Sequence, residues 1–152
     1  MSLHISAPLR GTTVALEDVP DPVFAQRLVG PGVAVQPTLD GAEMTAVAPV
    51  AGVVVKLHPH AFVIQAEGGK GVLVHLGIDT VKLAGDGFTM HVAEKDTVTQ
   101  GQAIVTWNPT KIEDGGMPSI CPVVALDGKA QLELAALPPA NVAEGDLLAT
   151  WS

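Results

Sequence analysis

The chain has one cysteine, Cys121, and no tyrosine, and aromatic residues make up 3% of its 152 positions. A single thiol excludes an intramolecular disulfide and suits a reducing compartment. Cys121 stands beside Pro122 with no adjacent base or cation, so it reads as a buried, inert thiol rather than a nucleophile. Basic residues are also scarce: 8 Lys and Arg against 16 Asp and Glu, a formal net charge of −8. Binding to a phosphate backbone needs clustered Lys and Arg, so nucleic acid is excluded as a partner. No apolar run approaches the roughly 20 residues of a membrane span, and no basic leader precedes an apolar signal core. The expectation is a cytoplasmic protein that does not span a membrane. Met1 to Leu3 read as an expression leader and are set aside.

Turn punctuation, by contrast, is plentiful. The 16 glycines and 12 prolines interrupt short, valine-rich apolar runs along the whole chain. That pattern points to an all-β fold, a sandwich or barrel-like single domain over residues 1–152 with one or two short helices. The length is enough to bury a real core. Expected strands are Val33–Gln36, Thr45–Pro49, Gly52–Leu57, Phe88–Val92 and Ser119–Leu126, with another after a turn at Pro8–Gly11. Beyond Leu126 the sequence reads as a turn-rich path to the C-terminus. Asp21 before Pro22, and Asn108 before Pro109, are helix N-cap signals. A weak internal echo pairs Gly101-Gln-Ala-Ile-Val-Thr-Trp107 with Gly145-Asp-Leu-Leu-Ala-Thr-Trp151.

The chemistry concentrates between Leu57 and Leu83. Two apolar runs, Ala61–Ala66 and Val72–Leu76, flank a glycine-rich break at Glu67–Gly71, the pattern of a β-hairpin. A turn centred between Glu67 and Gly68 would put His60 directly opposite His75, with β-carbons roughly 4.5–5.5 Å apart. Leu73 and His75 would face one side of the sheet, and Val72, Val74 and Leu76 the other. Two facing imidazoles admit three chemistries. A neutral ring nitrogen can act as a nucleophile. His58, His60 and His75, with Asp79 four residues on, can supply a zinc ligand set. Or the pair is a satisfied structural contact. Near it in sequence, Val23, Phe24, Leu28 and Val29 recur at helical spacing. They are either core residues or a docking patch beside the histidines.

The run Val72-Leu-Val-His-Leu-Gly-Ile-Asp-Thr-Val81 resembles the phosphorylation-site segment of enzyme IIA of the bacterial sugar phosphotransferase system, glucose class. Val19-Pro-Asp-Pro-Val-Phe24, Gly32-Val-Ala-Val-Gln-Pro37, Val47-Ala-Pro-Val-Ala-Gly52, His60-Ala-Phe62, Gly85-Asp-Gly-Phe88 and Pro122-Val-Val124 match that family in order. The resemblance implies an antiparallel β-sandwich in which His75 carries a phosphoryl group on Nε2, His60 is the second active-site histidine, and Asp79 lies beside them. It implies transfer from the phosphocarrier protein HPr to a IIB domain of a sugar permease, with no required cofactor. It further implies regulatory target enzymes and an intermolecular zinc held by His60 and His75. An apolar partner surface would then draw on Phe24, Leu28, Val29 and Phe62, with Phe62 also a candidate for the core. One departure stands out. Many members have Phe-x-Thr-x-His before the second histidine, whereas here Leu57 is followed by His58, Pro59 and then His60. The threonine is absent, and His58 is expected to face solvent.

A zinc-dependent hydrolase of lysostaphin-like fold, using His58, His60, His75 and Asp79, is the alternative. Its His-x-His normally follows the His-x-x-x-Asp pair, whereas here it precedes it. A biotin or lipoyl carrier would need a Met-Lys pair at a hairpin tip, which the sequence lacks.

Overall fold

The computed structural model describes residues 2–152. Glycine and proline cut the chain into short strands, as the punctuation requires. In order they are β1 (Leu3–Ser6), β2 (Gly11–Ala15), β3 (Gly32–Pro37), β4 (Met44–Val47), β5 (Gly52–His58), β6 (Ala61–Gln65) and β7 (Gly71–His75). They continue as β8 (Thr89–Met90), β9 (Thr97–Val98), β10 (Ala103–Trp107), β11 (Cys121–Ala125), β12 (Leu132–Leu134), β13 (Asn141–Val142) and β14 (Leu147–Trp151). Two short helices are α1 (Pro22–Ala25) and α2 (Pro109–Asp114). Both start on the side chains that the sequence marks as caps. Asp21 accepts from the Val23 N–H at 2.9 Å, and Asn108 accepts from the Lys111 N–H at 3.3 Å.

The strands pair antiparallel. An eight-stranded sheet runs β13-β2-β3-β11-β7-β6-β5-β9, and two three-stranded sheets run β1-β14-β12 and β4-β10-β8. All three sheets send side chains into one main core, which includes Ile5, Val35, Val54, Phe62, Val74, Ile104, Trp107 and Trp151. The outer face of the large sheet carries a second, smaller core of Leu16, Val19, Phe24, Ala34, Ile78, Ile120 and Val124. Strand β7 shows how period-two alternation divides its residues between the cores. Val72 and Val74 are fully buried on the main side, while Leu73 packs against the smaller core and His75 shares its face.

The sequence echo is a structural one. The Ala93 N–H donates to the Asp96 carboxylate and the Ala143 N–H to that of Asp146, at 2.9 and 2.8 Å. Gly101 and Gly145 each donate to an alanine carbonyl, Ala48 and Ala7, at 2.9 Å. Each alanine precedes a proline, and the two Ala-Pro segments clasp each other: Ser6 N–H donates to Pro49 O and Val47 N–H to Pro8 O. This second half of the echo, Ala7-Pro8 against Ala48-Pro49, went unread in the sequence.

Three expectations need correction. A strand precedes the Pro8 turn, because β1 pairs with β14. The segment after Leu126 holds two further strands, β12 and β13, besides β14, the strand of the second echo copy, which is the centre of its sheet. The strand expected over 88–92 is reduced to Thr89–Met90, because β8 meets β10 only at those two residues.

Candidate active site

The hairpin that carries the histidines has a different register from the expected one. Its loop is centred on Gly68, which sits at φ 83°, and is closed by the Ala66 N–H donating to Lys70 O at 2.8 Å. Gln65 therefore pairs with Gly71, and Ala61, not His60, lies opposite His75. In continuous strands such a one-residue slip would move His60 to the other face. It does not, because His60 lies outside the ladder in the Pro59-His60 turn between β5 and β6. From there its carbonyl accepts the Leu76 N–H at 2.7 Å, and its ring meets that of His75 edge to face, centroids 5.2 Å apart.

His75 is fixed from behind. The chain after it turns through Gly77 at φ 81°, where a β-carbon would lie 2.7 Å from Thr80 Cγ2 and 2.9 Å from Pro118 O. The Thr80 hydroxyl donates to Leu76 O at 2.8 Å, and the Ile78 N–H donates to Pro118 O at 2.9 Å. Thus held, Gly77 O stands 2.5 Å from His75 Nδ1. A carbonyl can only accept, so Nδ1 carries the hydrogen and Nε2 keeps its lone pair. Phe24, from α1, packs its ring edge-on to the imidazole at 5.4 Å.

Both rings are held neutral at pH 7. Burial pushes the His75 pKa below the ordinary 6.5, against the Gly77 hydrogen bond and the charges of Asp21 and Asp79, which pull it up. Burial also lowers His60, reinforced by His75 and then His58 as neighbouring imidazoles. A neutral imidazole with a free Nε2, beside a second imidazole able to donate a hydrogen bond, can attack phosphorus.

The remaining candidates fall in different places. Asp79 is exposed, in the left-handed conformation at φ 62°, and caps the 3-10 turn Thr80–Leu83 through its backbone only. His58 is exposed, as expected, yet its ring stacks on His60 with centroids 5.6 Å apart and planes at 22°. Leu28 is 68% exposed and Val29 half-buried, whereas Phe24 is buried against His75. Phe62 must be withdrawn from the docking surface: at 1% exposure it belongs to the main core. Its strand neighbours explain this, since Phe62 pairs with Val74 on the inward side of the hairpin. Among the described residues no group of three or more His, Cys, Asp and Glu is arranged to hold a metal. The arrangement gives the hydrolase ligand set no support: the His58 ring stacks on that of His60 instead of converging with His60, His75 and Asp79 on one point. Sequence reasoning gave Asp21 only the role of a cap, although its charge also reaches His75. Nothing local to Asp21 signals that second role.

A sandwich of antiparallel sheets with two facing imidazoles on its outer face, one with Nδ1 engaged and Nε2 open, defines the class as a β-sandwich protein with a histidine site suited to nucleophilic chemistry. Comparison with known proteins agrees. The family model described as phosphoenolpyruvate-dependent sugar phosphotransferase system, EIIA 1, matches residues 3–130. The PTS system glucose-specific EIIA component of Halalkalibacterium halodurans is 45% identical over 122 residues, covering 79% of this chain and 68% of that protein. The glucose-specific EIIBCA component of Corynebacterium glutamicum is 40% identical over 122 residues; the match spans 80% of this chain but only 18% of that protein. The solved structure of glucose permease IIA from Mycoplasma capricolum superimposes with a TM-score of 0.87 at 32% identity, covering 99% of this chain and 96% of that one. The chain belongs to the EIIA 1 family of the sugar phosphotransferase system and is a phosphocarrier in sugar uptake, a phosphotransferase component. No helix among the described residues is long and apolar enough to cross a membrane.

Proposed function

We propose that His75 is the phosphoryl acceptor, that phospho-HPr is the donor, and that a IIB domain of a sugar permease is the recipient. The observation that carries this is the Nδ1 contact to Gly77 O, which leaves Nε2 as the nucleophilic nitrogen. The Nε2 lone pair forms the new N–P bond as the bond from phosphorus to the donor breaks, and that electron pair leaves with the donor. His75 keeps its Nδ1 hydrogen throughout, so the phosphorylated ring is cationic and a good leaving group for the next transfer. Gly77 O stabilises that charge. His60 donates a hydrogen bond to the phosphoryl oxygens, and exposed Asp79 steers partners and discourages the anion from lingering. These are neutral donors and a nearby carboxylate rather than an arginine trap, which suits a group that must be passed on.

Residues 1–152 act as one such domain, at the cytoplasmic side, and need no cofactor. Partners dock on the apolar rim beside the histidines. Phe24 forms its floor, and Leu28, Val29, Val23 (44% exposed) and Val81 (60% exposed) provide its surface. Zinc held between His60 and His75 and a partner's ligand, and regulatory target enzymes on the same rim, are secondary uses of this site. The sugar is one of the glucose class, given the names of the relatives. The test is incubation with phosphoenolpyruvate, enzyme I and HPr, followed by mapping of the acid-labile phosphate. Label on Nε2 of His75 is expected; label on another residue overturns the assignment.

A further inference from the structure

Behind His75 the hydrogen bonds do not stop at Gly77. The Gly77–Ile78 peptide group that accepts from Nδ1 through its carbonyl donates through its N–H to Pro118 O, at 2.9 Å. The Pro118–Ser119 peptide group repeats the pattern. Its carbonyl takes the Ile78 N–H, and its own N–H donates to Glu113 Oε2 at 2.7 Å. That oxygen also accepts the Ser119 hydroxyl at 2.8 Å, and the hydroxyl accepts from Gln36 Nε2 at 2.9 Å. Ser119 is fully buried, and Glu113 is half-buried on α2. A carboxylate thus ends a line of hydrogen bonds that starts at the imidazole and passes through two peptide groups.

Bonds in such a line polarise one another where the dielectric is low, and the last one is charge-assisted. Drawing on the Ser119 N–H places more negative charge on Pro118 O, which in turn places more on Gly77 O. A more negative Gly77 O favours the forms of His75 in which Nδ1–H bears positive charge, those with a proton or a phosphoryl group on Nε2. Asp21, Asp79 and His60 also face His75, but they act on it through space. We propose that Glu113 is a positioning residue for His75, acting through the Pro118–Ser119 and Gly77–Ile78 peptide groups to fix the ring and raise the basicity of Nε2. This rests on the phosphocarrier reading of His75. Ser119 holds the carboxylate oxygen at the end of the line, and Gln36 holds the Ser119 hydroxyl.

The test is nitrogen-15 NMR of His75 in the resting protein, which needs no phosphoryl donor. Glu113→Gln keeps an oxygen for the Ser119 N–H but removes the charge. The Nδ1–H resonance should move upfield, the His75 pKa should fall, and acceptance from phospho-HPr should slow about three- to tenfold. Asp114→Asn removes the same charge from an exposed neighbour outside the line and should change none of these. An unchanged Nδ1–H resonance and pKa in Glu113→Gln overturns the proposal, as does an equal shift in Asp114→Asn. Should Glu113→Gln not fold, couplings across hydrogen bonds in the wild type decide. Ile78 N must couple to Pro118 C′ and Ser119 N to Glu113 Cδ, and the absence of either breaks the line. Failure of the wild type to accept phosphate would remove the phosphocarrier reading but leave the NMR result to stand on its own.

Discussion

The two imidazoles of the site stand 5.2 Å apart and are held in opposite ways. His75 closes a regular strand and enters a loop tied by hydrogen bonds, with its Nδ1 on Gly77 O, Leu76 O on Thr80 and Ile78 N–H on Pro118. His60 sits in a two-residue turn, tied through its carbonyl to Leu76, while its ring meets the ring of His75 on one side and that of His58 on the other. A nucleophile gains from a fixed tautomer and a fixed line of attack, because alignment lowers the barrier before any chemistry begins. A hydrogen-bond donor to a group that arrives from one protein and leaves to another gains from freedom to follow it. Under the proposed function, the contrast predicts that the tethered ring of His75 governs acceptance and the less tethered ring of His60 governs onward transfer.

Removing the rigid member should have the largest effect. His75→Ala should abolish acceptance from phospho-HPr while circular dichroism and the melting temperature stay close to wild type, since the side chain lies on the outer face and not in the main core. Residual labelling at a comparable rate would move the nucleophile elsewhere.

Loosening the rigid loop without touching the ring is the next test. Gly77→Ala forces a β-carbon into the left-handed region and against Thr80 Cγ2 and the Pro118 carbonyl. The backbone strain alone is about 1–3 kcal/mol, which for a chain of this size lowers the melting temperature by roughly 2–10 °C. Acceptance should fall further than the lost stability explains, because Gly77 O cannot keep its place at Nδ1. A variant that melts early but accepts phosphate at the wild-type rate, measured well below its transition, would show that the loop's geometry is immaterial.

On the mobile side, His60→Gln keeps a donor but not the capacity to gain a proton. Acceptance should survive, and delivery to IIB should slow about tenfold, because a neutral amide replaces a donor that can become charged and charge-assisted hydrogen bonds are roughly twice as strong as neutral ones. Equal slowing of both steps would erase the division of labour between the two rings.

How much of this was legible in the sequence follows the same division. Strands β2 to β7, β10 and β11, both helix caps and the inward set Val72, Val74 and Leu76 follow from periodicity and local side-chain chemistry, which short-range forces decide. The hairpin register does not, because Glu67-Gly-Gly-Lys70 is compatible with a loop centred between Glu67 and Gly68 or on Gly68. Only the pairing with the rest of the sheet selects the latter. The neighbourhood of His60 and His75 was read correctly on a mistaken premise, direct pairing, when the actual cause is that His60 has left the ladder. Glu113 had no readable signal at all. Its tie to Ser119 crosses the Gly115-Gly116 turn, and its relation to His75 passes through backbone groups that carry no sequence identity.

The smallest effect should come from His58, where the sequence departs from the family's threonine. A ring that replaced that hydroxyl would have to hydrogen-bond to His60 or to the phosphoryl group. Its loss would then cost roughly 1.5–3 kcal/mol, at least tenfold in rate. The geometry is instead a stack, 22° from parallel at 5.6 Å, on an exposed side chain. Stacked rings place faces together rather than a donor on an acceptor, so His58 touches His60 without a directional bond. Its influence is then limited to charge, which disfavours a proton on His60, and to a modest restraint on how far that ring swings. His58→Ala should change acceptance and delivery by less than about threefold, as exposed side chains outside a bonded network usually do. Stopped-flow rates of wild type and variant suffice, and a tenfold loss would show that the mobile imidazole is braced by its neighbour after all.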